Sequence, residues 1–149
     1  MSTAATTAPV IEDASVDHTA DIAAITRVIA NAQQAFNTND PNLMAADFAA
    51  NASAGNAVGM VLRGAEAVRA ASEAGLAGFL KDQFVRYDIT DITFPRPDMA
   101  LVHKVARETT ATGELLDQDP AMVALYVLLK ENGRWWTIAR HNTPIPRAS

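Results

Sequence analysis

The sequence predicts a single α+β domain, with helices in its first half and an antiparallel meander in its second. Three observations carry that expectation. Apolar residues recur every three or four positions between Ile22 and about residue 80, the spacing of one buried helix face. From residue 84 onward the pattern changes to segments of strand-like composition. Strong turn signals separate those segments. A chain of 149 residues is of ordinary size for one domain around one core.

Taken in order, residues 1–18 are rich in Ser, Thr and Ala and have no apolar period, which predicts a disordered tail. Residues 19–149 form the folded domain. Ile22, Ile25, Ile29, Ala32 and Phe36 make one stripe of a helix over 20–37, with Thr19 as its N-cap and Asp21 in its first turn. Asn37-Thr38-Asn39-Asp40-Pro41 ends this helix and starts a second over 41–49, with Asp40 as cap, Pro41 in the first turn and Leu43, Met44 and Phe48 inward. Residues 52–63 predict a short hairpin around Asn56 and Gly59. A third helix over 65–80 carries Val68, Ala71, Leu76 and Phe79, and Gly75 and Gly78 either allow close packing or end it early. Strands follow near 84–94, 99–110, 121–130 and 134–143, with Asn132-Gly133 as a hairpin turn between the last two.

Composition excludes several function classes. A net charge of -5 with dispersed basic residues opposes nucleic-acid binding, which needs Lys and Arg clustered on one face. No apolar run is long enough to span a bilayer, and the N-terminus lacks the basic start and apolar stretch of a secretory signal. The expected setting is cytoplasmic. With zero Cys, neither disulfides nor thiolate chemistry are available. The three histidines lack metal-ligand spacing, and there is no phosphate-binding or dinucleotide motif, so neither a metal nor any other cofactor is expected.

The strand from Ala121 to Leu129 is apolar on both alternating faces: Val123, Leu125, Val127 and Leu129 on one, Met122, Ala124, Tyr126 and Leu128 on the other. Helices cover only one face of such a sheet. The other face predicts a homodimer.

Three stretches, Gly55-Asn56-Ala57-Val58-Gly59-Met60-Val61-Leu62-Arg63-Gly64, Pro97-Asp98-Met99-Ala100-Leu101-Val102-His103 and Gly133-Arg134-Trp135-Trp136-Thr137-Ile138-Ala139-Arg140-His141-Asn142-Thr143-Pro144, give the chain a specific likeness. Over roughly residues 20 to 145 it resembles the nuclear-transport-factor-2-like, or SnoaL-like, superfamily. Within it, the chain is most similar to small proteins encoded with nine-membered enediyne polyketide pathways. The resemblance implies a cone-shaped fold whose helices pack on a curved meander sheet and enclose a pocket, commonly as a dimer. It also implies isomerase, dehydratase, cyclase or purely binding roles. SnoaL-type cyclases carry an Asp late in the last strand, where this chain has Asn142-Thr143. Asn takes up no proton, so that mechanism does not carry over.

Candidate site residues follow from residue type and strand position. His103, among Leu101, Val105 and Arg107, is either a pocket acid or base or a hydrogen-bonded wall residue. His141 stands in the same position near the end of the final strand. His18 reads as solvated. Arg107 and Arg140 either hold a carboxylate, carbonyl or enolate oxygen of a ligand or pair with Glu108, Asp88 or Asp91. Trp135 and Trp136 occupy opposite faces by alternation. Asn56 is a pocket donor or a turn residue, and Tyr126, Trp136 and Asn142 complete the expected ligand contacts. The function expected is binding of an apolar polyene or polyketide intermediate, with cofactor-independent isomerisation, dehydration or cyclisation as the alternative.

Overall fold

The computed structural model describes residues 7–146, so residues 1–6 of the expected tail and residues 147–149 lie outside the described residues. The elements run α1 (Thr19–Asn37), α2 (Pro41–Ala45), β1 (Phe48–Gly55), β2 (Val61–Arg63), α3 (Ala65–Ala77), β3 (Phe84–Arg96), β4 (Met99–Thr109), β5 (Met122–Glu131) and β6 (Arg134–Pro144). The four-strand meander stands where the apolar alternation places it. Asn132 and Gly133 adopt φ values of 51° and 78°, the left-handed pair that a two-residue hairpin needs.

Helix α1 begins at Thr19, with His18 rather than Thr19 in the cap position. The Thr19 amide instead donates to the Asp17 carboxylate at 2.9 Å. Its buried face contains Asp21, Ile25, Val28, Ile29, Ala32 and Ala35, while Ile22 is exposed. The stripe is therefore rotated from the expected one, and a carboxylate enters the core side. Asp40 caps α2 as expected, accepting from the Leu43 amide at 3.1 Å with Pro41 at the first helical position.

Two helix ends differ from expectation. α2 stops at Ala45, and Phe48 opens strand β1, which extends the expected hairpin backwards by several residues. Phe48 is buried with Ala52, Ala54 and Val68. Strand pairing to β6 outweighs the helical preference of this alanine-rich segment. α3 ends at Ala77, and Phe79 stands 80% exposed beyond it rather than in the core.

The six strands form one curved sheet in the order β2-β1-β6-β5-β4-β3, antiparallel throughout except for the parallel β1–β6 pair. One face packs against α1, where Ile25, Val28 and Ile29 meet Phe94, Ala100, Val102, Ala124, Tyr126, Leu128 and Trp135. Edge strand β3 is tied to α1 by side chains. Asn37 donates to the Val85 carbonyl and accepts from its amide, each at 2.9 Å, and Gln33 accepts from the Tyr87 amide at 2.8 Å. These bonds occupy backbone groups that an open edge would leave for another strand. Among the described residues no helix is long and apolar enough to cross a membrane.

Alternation assigns the two faces. Tyr126 is 3% exposed and faces the helices; Leu125 is 37% exposed and lies on the opposite, convex face.

Gly64 links β2 to α3 at φ 91°, and a Cβ there would stand 2.7 Å from the Ala50 carbonyl oxygen. Gly133 has a similar φ but open space around it. Alanine at a left-handed position costs about 1–2 kcal/mol from backbone strain alone. Gly64→Ala should therefore lower the urea midpoint clearly more than Gly133→Ala; equal shifts would contradict the close approach.

Candidate functional site

Side chains pointing from β4, β5 and β6 toward the helices alternate with those pointing away, and strand register decides which residues share a row. One concave row runs Lys104, Ala124, Asn142 across β4, β5 and β6; the next runs Val102, Tyr126, Arg140 and Ala54 of β1. Lys104 is only 5% exposed. Its Nζ lies 2.9 Å from the centroid of the Tyr87 ring and 5.9 Å from that of Tyr126. Arg140 approaches the Phe48 ring, with its guanidinium carbon 5.4 Å from the centroid. The Arg140 Nε is buried and has no hydrogen-bond partner.

The electrostatics of this cluster are one-sided. Burial pushes the Lys104 amine well below its ordinary range, and the positive charge of Arg140 pushes it further. Burial also raises the Tyr126 phenol, against the charge and hydrogen bond of Arg140. The Tyr87 phenol is raised by burial as well. Among the described residues no carboxylate forms an ion pair with Lys104 or Arg140. The cluster thus brings an amine, two phenols and a guanidinium together in a closely packed interior.

Of the residues singled out from sequence, Tyr126, Arg140 and Asn142 belong to this concave cluster. His103 and His141 lie on the convex face in one row with Leu125 between them. His103 Nδ1 is 3.1 Å from the Asp91 carboxylate. The His141 ring covers Gly55, whose missing Cβ leaves room for it. Neither histidine points into the cone. Arg107 pairs with Asp88 at 3.2 Å, the ion-pair reading of that residue. Trp136 is beside Leu129 on the convex face, under the Arg134 guanidinium at 3.6 Å from the ring centroid, while Trp135 is in the core. The Asn56 side-chain Oδ1 accepts from the Val58 and Met60 amides at 3.1 and 2.9 Å, so it shapes the β1–β2 turn.

Sequence reasoning missed Lys104. Its strand reads Leu101-Val102-His103-Lys104-Val105-Ala106, and either alternating face passes for buried. The available signal was the small, apolar company of Lys104, namely Ala100, Val102 and Ala106.

It also missed a second cluster, at the N-terminal end of α1. His18 is not solvated: its side chain is 12% exposed and stacks on Phe94, ring centroids 3.7 Å apart. Its Nδ1 and Nε2 meet Asp21 and Asp13 at 2.9 and 2.7 Å. Two ionised carboxylates only accept, so both ring nitrogens carry protons. Asp21 further accepts from Lys130 Nζ and from buried Trp135 Nε1, each at 3.0 Å. Burial alone would raise the Asp21 carboxyl; the bonds from His18, Lys130 and Trp135 outweigh it and hold it below its ordinary range. Every charged group here has a partner, and the Asp13 amide also donates to the Phe94 carbonyl at 2.7 Å. This cluster fastens the segment before α1 to the sheet.

Two open hollows flank the concave centre rather than occupy it. One, of about 200 Å³, is lined by residues that include Arg27, Asn31, Asp47 and Arg134; the other, of about 250 Å³, by residues that include Gln33, Phe84, Arg86 and Thr110.

No protein-family model and no curated protein sequence matches the chain. Solved structures do. A cystatin-like-fold protein of unknown function from Nostoc punctiforme superimposes with a TM-score of 0.77 at 22% identity, over 86% of this chain and 79% of that one. An NTF2-like protein of unknown function from Pseudomonas putida gives 0.67 at 20%, over 84% and 87%. A ketosteroid isomerase-like protein from Erwinia carotovora gives 0.66 at 21%, over 86% and 98%. The chain has an NTF2-like, cystatin-like fold.

The paired cluster carries its own pH signature. The Asp21 hydrogen bond, then that of Asp13, raises the His18 pKa above 6.5. A raised imidazole contributes stability in full below its unfolded value and loses it as pH rises through the folded value. The stability difference between the wild-type protein and His18→Gln should therefore shrink from pH 6 to pH 9. A difference that grows over that interval would contradict the assignment.

Proposed function

We propose that the chain binds a small, largely apolar molecule with one oxygen function over the concave face of the sheet, and that Lys104, Tyr126, Arg140 and Asn142 hold that function. The observation that carries this reading is the cluster itself. Polar side chains from three neighbouring strands meet in an otherwise apolar interior, where a purely structural core would place Leu, Ile or Val. Binding pockets combine apolar walls with a few convergent polar groups in this way. The resemblance in the stretches 55–64, 97–103 and 133–144 favours a polyketide-type ligand, a polyene of enediyne biosynthesis in particular, with the chain acting as an accessory protein of that pathway.

The second reading is cofactor-independent isomerisation, dehydration or cyclisation of that molecule. Lys104 favours it. Burial and the charge of Arg140 favour the uncharged form of the Lys104 amine, the form that can accept a carbon-bound proton, while Arg140 and Tyr126 stand ready to donate to the enolate oxygen that results. A fold likeness to a ketosteroid isomerase-like protein agrees with this chemistry and does not by itself establish it.

Thermal unfolding with conjugated polyene ketones and acids tests the binding reading. Ligand should raise the melting temperature of the wild-type protein. Tyr126→Phe should lose most of the rise, Arg140→Met most of the rise given by the acids, and His103→Ala and His141→Ala should keep it. No rise with any apolar ligand would end the proposal. Deuterium exchange into a β,γ-unsaturated ketone, lost in Lys104→Met, would support the enzymatic reading; binding without exchange would leave the accessory role.

The reading includes a homodimer through the convex face, where Leu125, Leu129 and Trp136 form an apolar surface. Leu125→Asp should convert the dimer to a 15.9 kDa species in sedimentation. A wild-type protein that already sediments as that species at micromolar concentration would contradict it.

A further inference from the structure

The charge balance of the concave cluster narrows the ligand further, on the binding reading given above. Lys104 and Arg140 project from β4 and β6 toward the same interior, with β5 between them. Lys104 is nine-tenths buried, and the Arg140 Nε is buried with no acceptor. The side chains that face Lys104 are Tyr87 from β3, Tyr126 from β5 and Arg140 from β6; none supplies a negative charge at neutral pH. Elsewhere the protein pairs its buried charges closely, as at Asp21, which meets His18, Lys130 and Trp135.

We infer that the concave site takes an anionic head group, a carboxylate attached to an apolar chain, with Arg140 donating to it from its unpartnered Nε and Lys104 neutralising it from β4. A guanidinium matches the planar geometry of a carboxylate. The same placement makes binding take up a proton. Without ligand, burial and then Arg140 favour the uncharged Lys104 amine; an anion brought beside it favours the ammonium form. The lysine thus acts as a counter-charge that appears when the ligand arrives.

Isothermal titration of the full chain with parinaric acid, a conjugated polyene carboxylic acid, against its methyl ester tests this directly. The acid should bind the wild-type protein at least about tenfold more tightly than the ester, a difference in keeping with a charge-assisted hydrogen bond. Titrations at pH 7 in buffers of different ionisation enthalpy should show proton uptake with the acid and none with the ester. Arg140→Met should weaken the acid by about tenfold or more and leave the ester nearly unchanged; Lys104→Met should abolish the proton uptake. The comparison of acid with ester on the wild-type chain stands even if a variant does not fold. Equal affinity for acid and ester would overturn the anionic head group and leave the small-molecule reading intact; acid binding without proton uptake would overturn the counter-charge role of Lys104. Failure of both ligands to bind would overturn the two together.

Discussion

Asp21 is the carboxylate on which the packing of one end of the sheet depends. It lies in the first turn of α1 and accepts from His18, from Lys130 on β5 and from Trp135 on β6. Through the His18 ring it is coupled to Phe94 on β3 and to Asp13 in the preceding segment. Removing such a group would strand several donors at once, and buried donors without acceptors are costly. α1 is therefore anchored at its N-terminal end, and its apolar face is laid across the sheet at a set angle. The interior toward the C-terminal half of α1 is built on that anchor.

The contrast between the two buried charge clusters is the main physical lesson of the molecule. At Asp21 every charge has an opposite charge or a donor within hydrogen-bonding distance. At Lys104 and Arg140 two basic side chains share an interior with phenols and, among the described residues, form no ion pair with a carboxylate. Buried ion pairs hold elements in register; buried basic groups without a counter-charge mark candidate ligand sites. Of the histidines, His18 contributes to structure, and His103 and His141 lie on the convex face.

Much of the fold was legible because it rests on local patterns. The apolar spacing of α1, the Asp40-Pro41 cap and the Asn132-Gly133 turn each report a geometry set by neighbouring residues. β1 was partly hidden because Phe48 to Gly55 is rich in alanine and small polar residues, and its strand state comes from pairing with β6, far away in sequence. The site was less legible for the same reason. Tyr126, Arg140 and Asn142 were within reach of alternation, but which face met the helices was not. Without that fact His103 stood as the candidate, and Lys104, adjacent in sequence and opposite in orientation, was passed over. His18 appeared solvated because its partners include Phe94, a strand away from any local signal.

A crystal structure grown with a polyene carboxylic acid tests the central claim most directly. The account predicts ligand density on the concave face, its carboxylate within hydrogen-bonding distance of the Arg140 guanidinium and near Lys104 Nζ, with Asp21 and its partners unmoved. Density confined to the convex face beside His103 and His141, or a concave interior that stays closed by Tyr87, Lys104 and Tyr126 at saturating ligand, would contradict it.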